Sequence, residues 1–170
     1  FSSNGSKVWT KLIENTDRWA NDSYERGRSI LLDTAGNIYI TGSTTSYIRP
    51  GGSTGSSGLG TSGGISYGGV FISKFNSLGE YQWLRETGTT NENDISFDIA
   101  LDSNNYIYIT GSTEGNLDGQ DNNITSEGLL SIDAFISKVD KNGNKLWTKL
   151  IGSSEYDASK DIYIAQDGSI

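Results

Sequence analysis

Carboxylates are where any chemistry would have to start, because the 170-residue chain has no His and no Cys. The commonest general base and transition-metal ligand is therefore missing. Disulfides and thiolate metal sites are missing too. Asp22, Asp94 and Asp157 each precede a short apolar stretch, and Asp33 and Asp102 each follow one. Paired carboxylates carry acid–base work in glycoside hydrolysis. These ones recur along the chain, whereas an active site is normally assembled once. Asp also bonds its own backbone in tight turns, and that role is expected of all five. No catalytic residue is assigned, and a non-enzymatic protein is expected.

Two further groups invite a ligand. Asn116, Asp118 and Asp121, with Asn122 and Asn123 beside them, gather the hard oxygen ligands that Ca²⁺ prefers. Their spacing is neither that of an EF-hand loop nor that of a Gly-Gly-x-Gly-x-Asp roll. They stand as weak calcium candidates, and no cofactor is expected. Trp19 lies in a polar stretch, Thr16-Asp17-Arg18-Trp19-Ala20-Asn21, that has no counterpart elsewhere. A lone Trp in a loop is a candidate ligand contact. The Gly-rich stretch 51–64 lacks the Lys and the following helix of a phosphate loop.

Charge narrows the partners. The formal net charge is −8 and the isoelectric point is about 4.4. Nucleic-acid binders carry basic patches that neutralise phosphates. Here the largest basic group, Arg18, Arg26 and Arg28, is diluted by Asp17, Asp22 and Glu25. Nucleic acid is not expected, and neither is membrane insertion, since no apolar run approaches the roughly 18 residues of a span.

The elements that hold these groups come from a repeat. Residues 36–44, Gly-Asn-Ile-Tyr-Ile-Thr-Gly-Ser-Thr, return at 105–113 with seven of nine positions identical. Each copy follows a short apolar stretch, 29–33 or 98–102, and a tight turn. Each leads through a long polar segment to Val70–Phe75 or Ala134–Val139. Then comes Gly followed four residues later by Trp: Gly5 and Trp9, Gly79 and Trp83, Gly143 and Trp147. Ile, Val, Tyr, Phe, Trp and Thr suit a pleated surface. Strands are expected near 70–75, 81–85, 97–101, 106–111 and 134–139, and also at Lys7–Leu12 and Asp161–Ala165. Both faces of Ile-Tyr-Ile-Thr are fairly apolar, so each sheet must be covered on both sides, as in radially arranged sheets. Trp9, Trp83 and Trp147 could be sugar platforms, but recurrence at one strand position favours packing between neighbouring sheets. Gly42, Gly111, Asp33 and Asp102 are likewise read as structural repeat positions. Between 51 and 69, 14 of 19 residues are Gly or Ser, so the insertion near 45–69 is expected to be a mobile surface loop.

The cycle Gly-x-x-x-Trp, Asp-Ile-Ala-Leu-Asp, Ile-Tyr-Ile-Thr-Gly-Ser-Thr, Asp-Ala-Phe-Ile-Ser-Lys resembles the bacterial β-propeller repeat family called SBBP, with NHL-like strand order. The resemblance implies an all-β fold, a fragment of a β-propeller with about two and a half four-stranded antiparallel blades. It implies that Asp98–Asp102 is an innermost strand and Tyr81–Arg85 an outermost one. The expected units are 1–75, 76–139 and a partial 140–170. The remaining blades, or other copies, would cover the ends. It also implies a bacterial protein, exported or at the cell surface. It names no shared catalytic set. The expected function is a protein- or glycan-binding scaffold. The alternatives are a polysaccharide-acting propeller enzyme with its site outside these residues, and a structural part of an extracellular assembly.

Overall fold

A computed structural model describes residues 5–11, 13–15, 25–45, 48–50, 69–88, 93–120, 122 and 131–170. Ten strands run in chain order: β1 (Ile13–Asn15), β2 (Glu25–Leu32), β3 (Ile38–Thr44), β4 (Ile48–Pro50), β5 (Gly69–Phe75), β6 (Tyr81–Thr87), β7 (Asp94–Leu101), β8 (Ile107–Thr113), β9 (Asp133–Val139) and β10 (Lys145–Ile151). No helix occurs among the described residues.

Eight of the strands make two antiparallel four-stranded sheets, β2-β3-β5-β6 and β7-β8-β9-β10. The fold is an open, all-β arc of two complete propeller blades, not a closed ring. The sheets group the strands differently from the repeat as written along the sequence. The Trp strand that opens the 76–139 unit is β6, the outer edge of the first sheet. Tyr81–Arg85 and Asp98–Asp102 therefore belong to different sheets, one closing a blade and the other opening the next.

Each inner strand carries a bulge at the same place. The pairing steps from Gly27↔Gly42 to Ser29↔Thr41, and from Ser96↔Gly111 to Asp98↔Thr110, leaving Arg28 and Phe97 as the extra residues. A bulge kinks its strand locally. Here it sets the carbonyl oxygen of Arg26 over Gly42 and that of Ile95 over Gly111, where a Cβ would collide with each. The rings of Phe71 and Phe135 close the same spaces from the other side. The repeated Thr-Gly-Ser-Thr thus has Gly because no side chain fits beneath the bulge.

The core lies between the sheets. Tyr39, Val70 and Ile72 of the first meet Ile99, Ile107, Ile109, Phe135 and Val139 of the second. Thr41 donates to Ser96 Oγ (2.8 Å), and Ser96 donates to the Gly42 carbonyl (3.1 Å), so polar groups in this interface are satisfied across it. The outer edges are joined by the Gly-x-x-x-Trp unit. A Cβ on Gly79 would lie 2.8 Å from the Trp9 ring, and one on Gly143 would lie 3.1 Å from Trp83. Both glycines have positive φ, 76° and 85°, in hairpin turns. The middle unit therefore offers its Gly79 turn to the preceding Trp9 and its Trp83 to the following Gly143 turn. Trp83 and Trp147 are half-buried, not fully buried between sheets as expected, and Trp9 is 37 % exposed.

Three expected elements differ. Residues 7–11 are not a strand, and neither are 161–165. Neither segment has a neighbouring strand among the described residues with which to pair, and a lone strand leaves its backbone groups unbonded. The insertion near 45–69 contributes β4, which pairs with β1 (Ile13↔Pro50, Asn15↔Ile48). The stretch 51–64 lies outside the described residues.

Candidate functional site

Asp33 and Asp102 are turn caps, whereas Asp94 is buried at the start of β7. Asp33 Oδ1 accepts from the N–H groups of Ala35 and Asn37, both at 2.9 Å. Its Oδ2 accepts from Asn37 Nδ2 (2.8 Å) and the Tyr39 hydroxyl (3.2 Å). Asp102 repeats this with Asn104, Tyr106 and Tyr108. The αL residue of the turn is Gly36 in one copy and Asn105 in the other, at φ 79° and 61°. Both types tolerate that conformation. Burial pushes the Asp33 carboxyl up, but the bonds led by the Asn37 side chain outweigh it and hold the carboxyl below its ordinary value. Burial, the Asp33 charge and the bond to Asp33 push Tyr39 up to about 12, so it stays a donor. Asp157 is also used structurally, accepting from the Ser153 N–H (2.7 Å) and hydroxyl (2.9 Å).

The calcium candidates do not converge in the described residues. Asp118 pairs with Lys145 and accepts from the Thr148 hydroxyl. Asn116 Oδ1 accepts from the Asn122 N–H at 2.7 Å, closing its own loop. Asp121 lies outside the described residues, as do Asp22 and Trp19. No group of three or more His, Cys, Asp or Glu side chains converges among the described residues.

Another constellation emerges where the inner strands lie side by side. Aligned on Ser29, Asp98 and Asp161, the preceding residues are Arg28, Phe97 and Lys160. The fold brings all three together. The Arg28 guanidinium lies 5.6 Å from the Phe97 ring centroid, and Lys160 Nζ lies 3.5 Å from it. Cations over an aromatic face are attracted by its quadrupole. One residue further along, Ser29 donates to Asp98 Oδ1 (2.6 Å), and the Ile162 N–H donates to Asp98 Oδ2 (3.1 Å). Burial raises the Asp98 pKa, but hydrogen bonds led by that from the Ser29 hydroxyl bring it below the ordinary value. Asp98 is thus a fixed anion that ties three successive inner segments together.

Beside this row a cleft of about 280 Å³ opens between the sheets. Arg26 and Arg28 of β2 form one wall. Ser43 and Thr44 of β3 and the adjoining Thr45 close one end. Asn93, Asp94, Ile95 and Glu114 form the opposite wall. Glu114 is oriented by Asn93, whose Nδ2 donates at 3.0 Å. Asp94 is buried. The sequence had a signal for this place. Arg28, Phe97 and Lys160 differ in type at one register, while the caps, the Thr-Gly-Ser-Thr and the Trp repeat.

The beta-propeller repeat model SBBP matches residues 8–48 and 82–118. No curated protein matches the chain. Each match begins beside a Trp, Trp9 or Trp83, and runs through an inner strand into the Thr-Gly-Ser-Thr strand. The second thereby crosses from the outer edge of the first sheet into the second. With two blades in place, joined at their outer edges by the Trp9–Gly79 and Trp83–Gly143 contacts, the two matched segments are similar to the SBBP beta-propeller repeat.

Proposed function

We propose that this propeller is a non-enzymatic binding scaffold, exported or displayed at a bacterial cell surface, that takes a glycan or protein ligand at the inner-strand cleft. One observation carries the reading. The repeated residues are spent on the fold, while the residues that vary at matched register, Arg28, Phe97 and Lys160, gather beside a polar cleft. A scaffold that keeps its frame and varies one row is how repeat folds generate binding surfaces.

The carboxylates support binding over catalysis. Asp33, Asp102 and Asp157 spend their oxygens on backbone and side-chain donors of their own loops. Asp98 spends both of its own on Ser29 and Ile162. A general acid or base needs a free lone pair or proton within reach of substrate. The test is a glycan array, with a protein pull-down in parallel, using the intact chain and an Arg28→Ala, Glu114→Gln double variant. Binding lost in the double variant supports the cleft. Hydrolysis of any glycan that disappears on changing Asp94 or Glu114 would replace this reading with an enzymatic one.

A further inference from the structure

The cleft has two unlike walls, and their difference selects a ligand class within the binding role already proposed for it, on which that selection rests. Arg26 and Arg28 supply guanidinium groups from one side. Arg28 is held over Phe97 and makes no ion pair among the described residues. Guanidinium binds carboxylate in a bidentate fork, the strong form of a charge-assisted hydrogen bond. The facing wall is built of acceptors and amides. Glu114 and Asn93 are joined to each other, and a carboxylate there accepts hydroxyl protons. A ligand that satisfies both walls carries a carboxylate at one end and several hydroxyls at the other.

Size restricts it further. A cleft of about 280 Å³ falls just under the roughly 300–1,000 Å³ of pockets that enclose drug-sized ligands. It has room for one sugar ring. We propose that the cleft binds a single uronic acid residue of an acidic glycan. Its carboxylate lies on Arg28 and its ring hydroxyls on Glu114 and Asn93. An acidic peptide side chain brings the carboxylate but no set of hydroxyl donors for the Glu114 wall. The chain's net charge of −8 disfavours long-range approach of an acid. Screening confines that repulsion to about a Debye length, so the short-range fork decides recognition.

The test uses the intact chain and trigalacturonate, its methyl ester, neutral galactotriose and a glutamate-rich peptide, titrated by calorimetry. Trigalacturonate should bind, and the ester and galactotriose should bind at least tenfold more weakly. Arg28→Ala should lower trigalacturonate affinity at least tenfold. Arg28→Lys should fall between, because it keeps the charge and loses the fork. Lys141→Ala removes an equal charge from an exposed turn outside the cleft and should change affinity less than twofold. If Arg28→Ala alters the melting temperature, Glu114→Gln serves instead and should weaken binding severalfold. Equal binding of neutral sugar and uronate would overturn the acidic class while leaving the cleft a binding site. Equal losses in Lys141→Ala and Arg28→Ala would reduce the effect to bulk charge and overturn it. Peptide binding without sugar binding would overturn it in favour of a protein partner. No binding by any of the four probes would also overturn it, and the glycan array and pull-down then decide the broader reading separately.

Discussion

Ile30 and Ile99 occupy the same position on two inner strands, yet Ile30 is 62 % exposed and Ile99 is 5 % exposed. Ser73 and Ser137 occupy the same position on β5 and β9. Ser137 shares a hydrogen bond with Thr148 across the sheet (2.7 Å), whereas Ser73 faces Leu84, and its buried hydroxyl has no partner. The two sheets have the same strand order and the same bulge. They differ in what their neighbours supply. The repeat sequence specifies the sheet, the next blade specifies how much of that sheet is buried, and the residue paired across the sheet decides whether a buried hydroxyl is satisfied. Ile99 is covered because the first sheet is there to cover it.

The strongest test of the shared part is the glycine under each bulge. Gly42→Ala and Gly111→Ala place a methyl group against a backbone carbonyl, a neighbour that cannot swing away as a side chain can. Overpacking of a tight site costs about 1–3 kcal/mol and occasionally more. A backbone clash belongs at the upper end, so each variant should lose about 3 kcal/mol or fail to fold. Chemical denaturation measures it. The two losses should match, because the space is made within each sheet. A large inequality would break the equivalence of the blades.

Much of this was legible in the chain. Residues with a period of two, bounded by Asx and Gly turns, mark strands whoever their neighbours are. The caps at Asp33 and Asp102 follow from the type of residue before a tight turn. The groups at 28, 97 and 160 were not legible as a site. They lie 63 and 69 residues apart along the chain, and only the stacking of inner strands brings them together. The strands expected at 7–12 and 161–165 do not form over the described residues 7–11 and 161–165, for a related reason. Their propensity is sound, but a strand is a property of a pair, and the partners are not among the described residues. The half-burial of the tryptophans was hidden too, since their recurrence announced packing without saying that it falls at an outer joint.

Trp83 and Trp147 sharpen the comparison next. Both make an edge-on contact with a tyrosine, Tyr39 at 6.2 Å and Tyr108 at 6.1 Å. Only Trp83 also has a glycine turn, Gly143, on its other side among the described residues, and it packs against the main core. Loss of a large aromatic from a core costs roughly 3–5 kcal/mol. Trp83→Ala should approach about 3 kcal/mol, since the ring is half-buried. Trp147→Ala should cost about half as much. Equal losses would mean that the Gly turn adds nothing to the joint.

The serines should move stability in opposite directions. Ser73→Ala removes a buried hydroxyl without a partner and should stabilise the fold by about 1 kcal/mol, the lower end of the cost of an unsatisfied group. Ser137→Ala removes a satisfied one and leaves Thr148 with one bond fewer. It should destabilise by about 1 kcal/mol. Thermal melts of the two single variants decide it. Losses of the same sign would mean that Ser73 is served by solvent or by a shifted neighbour, and that the sheets are more alike than their facing residues imply.

The smallest effect concerns what the blades have in common, the capped turn after each inner strand. Asp33 is held below its ordinary carboxyl value because four hydrogen bonds to its charged form outweigh its burial. A folded-state pKa below the unfolded one means that the unfolded chain binds more protons as the medium turns acidic. The contribution is therefore present in full above the unfolded value of about 3.9. It is lost as the pH falls through the lower, folded value. Asp33→Asn keeps an acceptor for the turn's N–H groups but cannot titrate. The melting temperatures of the natural chain and this variant should differ by a constant amount from neutrality to about pH 5, and should draw together below about pH 4. A gap that widens in acid would reverse the sign, and the turn would then be held by the shape of the loop and not by the charge of its cap.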